Sequence, residues 1–93
     1  MIVSGYLQVD AESRDSYLES CRAVVAAAPV VEGRRDFAVS EDLLDPRRIN
    51  ILEVWEGRGP LDAFRGTGTG DDQSSMIRSA SVAEYDVTGE RSL

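Results

Sequence analysis

The sequence predicts an α+β domain with the element order β-α-β-β-α-β, which is the ferredoxin-like arrangement of one antiparallel sheet with both helices on one face. Three observations predict it. Met1–Val9 alternates between two faces as a strand does, the next segment repeats apolar residues at helical spacing, and two strands, a short helix and a last strand follow. At 93 residues the chain is predicted to form a single domain over residues 1–93.

The first strand and the first helix have the clearest patterns. In the strand, Val3 and Leu7 share one face while Ile2 and Tyr6 share the other. Asp10 is predicted to cap the helix that follows. The helix carries its apolar residues on one stripe: Tyr17, Leu18, Cys21, Val24, Val25 and Ala28. Pro29 is predicted to end it near Ala27 or Ala28, because the residue before a proline avoids the α region.

The second half of the chain alternates strand patterns with turn signals. Pro60 suits the first turn of a short helix that carries Leu61 and Phe64. The Gly-rich run 66–72 is predicted to be a flexible loop rather than a phosphate loop, since it lacks a lysine. The remaining predicted elements are strands at Arg35–Ser40, Ile49–Glu56 and Val82–Val87, a helical turn at Ser74–Ser79, and a mobile tail after Gly89.

The third strand predicts a second copy of the chain. Ile49, Ile51 and Trp55 lie on one of its faces, and Leu52 and Val54 lie on the other. A sheet with helices on one side only should be polar on its second face, yet both faces of this strand are apolar. We therefore expect the open face to pack on a second copy, giving a homodimer.

Charge and composition exclude several classes of function. The net charge of −7 argues against binding nucleic acid, because an acidic domain repels the phosphate backbone. All ten basic residues are arginine, so Schiff-base chemistry, Ser-His or Cys-His nucleophile pairs and histidine ligation of haem or zinc are excluded. Proton transfer is left to Asp, Glu, Tyr, Cys and water.

The same composition predicts the setting in which the chain works. The single cysteine excludes an internal disulfide and suits the cytoplasm. No signal segment and no long apolar run is present, so no membrane role is expected. The acidic group Glu41, Asp42 and Asp45 lacks the spacing of a calcium loop and is predicted to be a solvated turn. No metal site is predicted.

Two kinds of residue are candidates for binding or chemistry. Glu53 shares the face of Trp55, where an apolar neighbourhood would raise its pKa; the alternative is a charge at a rim or interface that pairs with an arginine. The aromatic residues Trp55, Tyr6 and Tyr85 either pack in the core or an interface, or form a stacking wall for a flat ligand.

The stretch from Asn50 to Arg65, NILEVWEGRGPLDAFR, resembles the antibiotic biosynthesis monooxygenase domain family. The residues that carry the resemblance are Glu53, Trp55, Glu56, Leu61, Ala63 and Phe64. The resemblance implies a dimeric α+β barrel, in which two ferredoxin-like subunits pack sheet to sheet. Some members oxidise polycyclic phenols or anthrones to quinones with dioxygen and use neither metal nor flavin. Others degrade haem, act on quinols or have no known reaction.

The resemblance also implies a set of site residues and no cofactor. The catalytic candidates are Trp55, Asn50, Tyr6 and Arg65, and the candidates for binding a small aromatic substrate are Trp55, Tyr85, Phe64, Glu53 and Arg78. Phe64 stands where many members carry a histidine, so haem ligation is not expected. In a regular strand Asn50 and Trp55 face opposite sides, and only a bulge would bring both into one pocket.

The resemblance predicts a monooxygenase that acts on an aromatic phenol or anthrone without a cofactor, and two alternatives to it remain open. One is a non-catalytic ligand-binding or scaffold dimer of the same fold. The other is an isomerase or cyclase that uses Glu53 as its base.

Overall fold

In the part of the chain that the structure describes, four strands and two longer helices build the fold. The computed structural model describes residues 1–27, 31–65 and 75–93. The strands are β1 (Ile2–Val9), β2 (Arg34–Glu41), β3 (Arg48–Trp55) and β4 (Ile77–Tyr85), and the helices are α1 (Arg14–Ala27) and α2 (Arg58–Arg65). All pairings are antiparallel and the strand order is β2-β3-β1-β4. This confirms the predicted ferredoxin-like α+β fold.

The two helices cover different ends of one sheet face. Near α1, Tyr17 packs with Leu7, Val9 and Ile49 in one buried cluster. Near α2, Leu61 packs with Val3 and Trp55 in a second one. Burying one large apolar side chain stabilises a fold by about 1.5–3 kcal/mol, so these two clusters hold the helices on the sheet. Burial also raises the pKa of the Tyr17 hydroxyl to about 12, because the charged phenolate is disfavoured there.

Gly5 lies at the centre of β1, between the two clusters. Its φ of 155° is one that side-chain-bearing residues rarely adopt. A Cβ at this position would collide with the backbone oxygen of Ser81 and lie 2.7 Å from Cα of Val82, both on the neighbouring strand β4. The close approach of β1 and β4 therefore requires glycine here.

The structure corrects two predictions about the ends of elements. The last strand begins at Ile77 rather than Val82, so residues 77–79 of the predicted helical turn are in β4; Ser74 lies outside the described residues. Asp10 precedes a short 3-10 helix (Ala11–Ser13) and makes no side-chain capping bond, because its carboxylate binds Arg78 instead. α2 begins at Arg58, so Pro60 is its third residue and lies in the first turn, as predicted.

Four other predictions concern the end of α1, the burial of Cys21, the loop 66–72 and the C-terminal tail. α1 is helical up to Ala27, the last residue described before residue 31, so its predicted end near Ala27 or Ala28 stays a prediction. Cys21 is half-buried and packs beside the Tyr17 cluster, as expected of a small apolar residue. The predicted loop 66–72 lies outside the described residues. In the C-terminal segment, Glu90 forms an exposed ion pair with Arg35 at 3.2 Å, and the mobility of the tail stays a prediction.

Candidate functional site

β3 divides the predicted site residues between the two faces of the sheet. Its register with β1 runs without interruption from the pair Ile2 and Val54 to the pair Gln8 and Arg48, so no bulge interrupts this pairing. The odd-numbered side chains Glu53 and Trp55 therefore lie on the helix-covered face, and Asn50 lies on the open face. The structure does not bring Asn50 and Trp55 into one pocket.

An aromatic cluster occupies the helix-covered face at the junction of β2, β3 and α2; it consists of Phe37, Trp55 and Phe64. The Phe64 ring centroid lies 5.3 Å from that of Trp55 and 6.1 Å from that of Phe37, with the latter pair edge to face. These separations are in the range of stabilising aromatic pairs. Trp55 is only 1% exposed, whereas Phe37 and Phe64 are half-buried. A flat ligand would therefore reach the phenyl rings rather than the indole.

Glu53 places a carboxylate beside the aromatic cluster. The indole Nε1 of Trp55 donates a hydrogen bond of 2.9 Å to Glu53 Oε1. In the sheet Glu53 lies opposite Phe37 on β2 and opposite Val3 on β1, and it is half-buried. No ion pair reaches Glu53 from any described side chain, so its partner is the indole rather than an arginine. An ionised carboxylate has about four acceptor positions, and the indole fills only one of them.

A second carboxylate on the same face is neutralised. Glu84 on β4 and Glu53 on β3 both lie opposite Val3 of β1, which runs between them. The backbones of β3 and β4 are therefore about 10 Å apart at these two residues. The guanidinium of Arg58, at the start of α2, lies 3.0 Å from Glu84 Oε2. This hydrogen bond raises the pKa of Arg58 above its usual value. Glu53 and Glu84 therefore differ: Glu84 has the Arg58 cation beside it, whereas no described side chain places a cation beside Glu53.

A polar network lies on the open face; it consists of Tyr6, Asp42, Arg48 and Asn50. Arg48 Nε donates to Asn50 Oδ1 at 2.7 Å, and Asn50 Nδ2 donates to Asp42 Oδ1 at 3.0 Å. The Arg48 guanidinium lies 4.0 Å from the ring centroid of Tyr6, in the position of a cation–π contact. The bond from Asn50, with backbone amides of the same turn, lowers the pKa of Asp42 to about 2. Asn50 therefore orders a turn and an arginine.

Tyr85 and Arg78 lie away from both groups. Tyr85 is on the open face of the edge strand β4, opposite Ile2, and is 54% exposed. Arg78, also on β4, forms an exposed ion pair with Asp10 at 2.8 Å, and this bond raises the pKa of Arg78. Arg65 ends α2, and its side chain lies outside the described part of the structure. The structure thus brings together Trp55, Glu53 and Phe64, and separately Asn50 and Tyr6.

Sequence reasoning missed two residues that the structure makes important. Phe37 lies within the predicted strand Arg35–Ser40, but its position opposite Glu53 depends on the register between β2 and β3. Asp42 was assigned to a solvated turn, although its carboxylate accepts bonds from Asn50 and from the amides of Leu44 and Asp45. The signal for Asp42 was its place just after a strand, where aspartate commonly binds turn amides.

Two further observations concern metal ions and membranes. Within residues 1–27, 31–65 and 75–93, no group of three or more Cys, Asp or Glu side chains is placed to hold a metal ion. None of the described helices has the length and the apolar character needed to cross a membrane.

Solved structures with the same fold come from several organisms. A candidate antibiotic biosynthesis monooxygenase from Nitrosomonas europaea superposes with a TM-score of 0.80 at 19% identity, covering 96% of this chain and all of its own. One from Caulobacter crescentus reaches 0.83 at 12% identity, covering 95% and 89%. A conserved protein from Methanosarcina mazei gives 0.74 at 21% identity, covering 88% and 86%. At such identities these likenesses establish the fold alone.

Sequence comparison identifies the family. No curated protein matches the chain. The sequence profile described as "Antibiotic biosynthesis monooxygenase" matches residues 1–69, which include Trp55, Glu53 and the whole aromatic cluster. The chain therefore belongs to the antibiotic biosynthesis monooxygenase family.

Proposed function

We propose that this chain is a monooxygenase that binds a flat phenol or anthrone against the aromatic cluster, takes a proton from it with Glu53, and oxidises it to a quinone with dioxygen. The observation that carries the proposal is Glu53 itself. Its carboxylate is half-buried beside Phe37, bonded to the Trp55 indole, and without a cation among the described side chains. Such a group can receive a proton from a bound hydroxyl on a lone pair that the indole leaves free.

The reaction balances without a further reductant. Loss of a proton makes the substrate an electron-rich anion, which transfers one electron to dioxygen. The substrate radical and superoxide then join in a carbon–oxygen bond. The resulting peroxide loses water as its O–O bond breaks, so that a CH2 group and O2 become a carbonyl group and H2O. The protein would hold the ring, accept the proton at Glu53 and keep water from the intermediate.

The proposal includes a homodimer formed through the open sheet face. Four large apolar side chains support it, because they lie on that face in two neighbouring rows: Ile2, Leu52, Val54 and Tyr85. Leu52 is 39% exposed and Tyr85 54% exposed, so both present apolar surface that a partner subunit could cover. In such a dimer Asn50 and Tyr6 would lie at the interface. Sedimentation showing only monomer at micromolar concentration would contradict it. A cytoplasmic location stays a prediction.

Oxygen uptake tests the proposed chemistry. We expect the protein to consume oxygen above the buffer rate with an anthrone or a 1-naphthol, in the presence of a chelator, and to yield the quinone and water. Glu53→Gln should lower the rate by at least tenfold, because it removes the proton acceptor. Glu84→Gln is the matched control: it lies on the same face but is already paired with Arg58. Absence of uptake with several such substrates would count against the proposal.

A non-catalytic ligand-binding or scaffold dimer is the second candidate. The burial of Trp55 at 1% exposure favours it, as does the separation of Asn50 and Tyr6 from Trp55. Saturable binding of the same phenols without oxygen uptake would support it.

The absence of an arginine beside Glu53 among the described side chains also suits an isomerase or cyclase. Turnover without dioxygen would identify that third function.

A further inference from the structure

We propose that Arg34 binds a carboxylate group of the substrate, so that the compound received by the aromatic cluster is an aromatic acid. The inference deepens the proposed function by naming the class of substrate, and it rests on that function only for the place of the ring. Binding of the acid does not require that dioxygen reacts with it.

A bulge in β2 puts Arg34 on the same face of the sheet as the aromatic cluster. In a regular strand, residues three apart lie on opposite faces, so Arg34 and Phe37 would be separated. The register with β3 shifts by one residue after Arg34, which pairs with Trp55, and the extra residue is Arg35. Arg34 and Phe37 are consequently both half-buried, while the two residues between them are exposed. Bulges often redirect a side chain in this way next to a functional site.

The turn before Arg34 is fixed by contacts with both β3 and α2. The amide of Arg34 donates to the Val31 oxygen at 3.1 Å. The oxygen of Gly33 accepts a bond of 2.8 Å from the amide of Glu56, just after β3. Gly33 has a φ of 80°, and a Cβ there would collide with the side chain of Pro60 on α2. Because α2 also carries one ring of the aromatic cluster, this contact fixes the position of Arg34 relative to that cluster.

The guanidinium of Arg34 has no counter-ion among the described side chains. Its central carbon lies 5.0 Å from the ring centroid of Phe37, in the position of a cation–π contact. The ion pairs of β2 involve Arg35 and Glu41 instead, and none joins Arg34 to Glu53. A ring face supplies no lone pair, so the N–H donors of this half-buried cation have no acceptor among the described residues. A carboxylate can accept two of them at once, which is the geometry in which arginine binds such a group most strongly.

Two charged side chains therefore border the ring of Phe37, and they suit different parts of a substrate. Glu53, opposite Phe37, can accept a proton from a hydroxyl group, whereas Arg34 can hold an anion. A hydroxyaryl acid has both parts on one flat ring system. The chain as a whole opposes such a ligand, because its net charge of −7 repels an anion. A preference for the acid over a neutral ligand of the same shape would therefore point to a local cation.

Isothermal titration calorimetry in the absence of dioxygen tests the inference, because it measures binding without turnover. The probes are 5-hydroxy-2-naphthoate and 5-hydroxy-2-naphthamide, which share the rings and the hydroxyl group and differ in charge. We expect the acid to bind at least about tenfold more tightly than the amide. Arg34→Gln should reduce that preference to about twofold or less. Arg35→Gln is the matched control: it removes the adjacent arginine, which pairs with Glu90, and the preference should persist.

Four results would overturn the inference. They are no binding of the acid, equal binding of the two probes, a preference that survives Arg34→Gln, and a preference that Arg35→Gln also removes. Circular dichroism shows whether Arg34→Gln is folded. If it is not, the Nε–H resonance of Arg34 in the unchanged protein decides the question: a shift on adding the acid but not the amide supports the inference, and an unchanged resonance overturns it.

Oxygen uptake with 1-naphthol separates this inference from the proposed function. Uptake by a protein that shows no preference for the acid would overturn the role of Arg34 and leave the monooxygenase standing. A preference for the acid that depends on Arg34, without oxygen uptake from any of these compounds, would support the carboxylate site and count against the monooxygenase.

Discussion

Replacing Trp55 with phenylalanine tests whether the indole and Glu53 act as one structural unit. Trp55 is 1% exposed, and its indole N–H donates to Glu53 Oε1 at 2.9 Å. Phenylalanine keeps an aromatic ring against Phe64 but removes the donor. The half-buried carboxylate of Glu53 then loses its only side-chain partner among the described residues.

Two terms set the size of the effect. Loss of a hydrogen bond to a charged group costs about 1.5–3 kcal/mol. The smaller ring leaves a void of roughly 40 Å³, which at about 24 cal/mol per Å³ adds about 1 kcal/mol. The free energy of unfolding should therefore fall by about 2.5–4 kcal/mol. A domain of this length has about 5–14 kcal/mol in total, so the variant should remain folded but be clearly weakened.

Urea unfolding followed by circular dichroism measures this change. The measurement is made at two protein concentrations, since any self-association would make the apparent stability concentration-dependent. Leu43→Ala is the control: it shortens an apolar side chain that is 98% exposed and should change stability by under about 0.5 kcal/mol.

A double-mutant cycle with Glu53→Ala separates the hydrogen bond from the void. We expect the coupling energy between Trp55 and Glu53 to be about 1–2 kcal/mol. A coupling below about 0.3 kcal/mol would refute the reasoning, because it would mean that the bond from the indole contributes nothing and that Glu53 is held by other groups.

Two further predictions concern the sheet. Gly5→Ala should destabilise the protein by more than about 3 kcal/mol or prevent folding, since the new Cβ meets backbone atoms of Ser81 and Val82; a normal urea midpoint would contradict this. Asn50→Ala should raise the pKa of Asp42 from about 2 toward 3.8, as followed by carboxyl-carbon NMR, with Ser40→Ala unchanged. Because the folded-state pKa of Asp42 is depressed, its stabilising contribution is present above pH 4 and is lost as the pH falls toward 2, and Asn50→Ala should reduce that loss.

Much of the fold follows from side-chain periodicity. The period of two in β1 and β3 put their limits within one residue of those observed, and the helical stripe identified α1, which starts at Arg14 after a short 3-10 segment rather than directly after Asp10. β4 was the exception. Its first half, Ile77–Ser81, consists mainly of small or polar residues with weak strand preference, and pairing with β1 determines its structure. Asp10 shows the same limit, since its partner Arg78 is distant in sequence.

The candidate site was predictable only along one strand at a time. Alternation correctly put Glu53 beside Trp55 and Asn50 on the other face. The cross-strand neighbours could not be found in this way, because the position of Phe37 opposite Glu53 depends on how the turn between β2 and β3 closes. The polar network around Asn50 likewise depends on Asp42, which lies beyond the end of β2.

The buried indole gives the protein its own optical reporter. Trp55 is the single tryptophan of the chain, so all tryptophan emission comes from a ring that contacts Phe64 and bonds to Glu53. A molecule that stacks on Phe64 or delivers a proton to Glu53 changes the surroundings of this one fluorophore directly. Candidate substrates can therefore be ranked by fluorescence titration of the unlabelled protein before any reaction has been assigned.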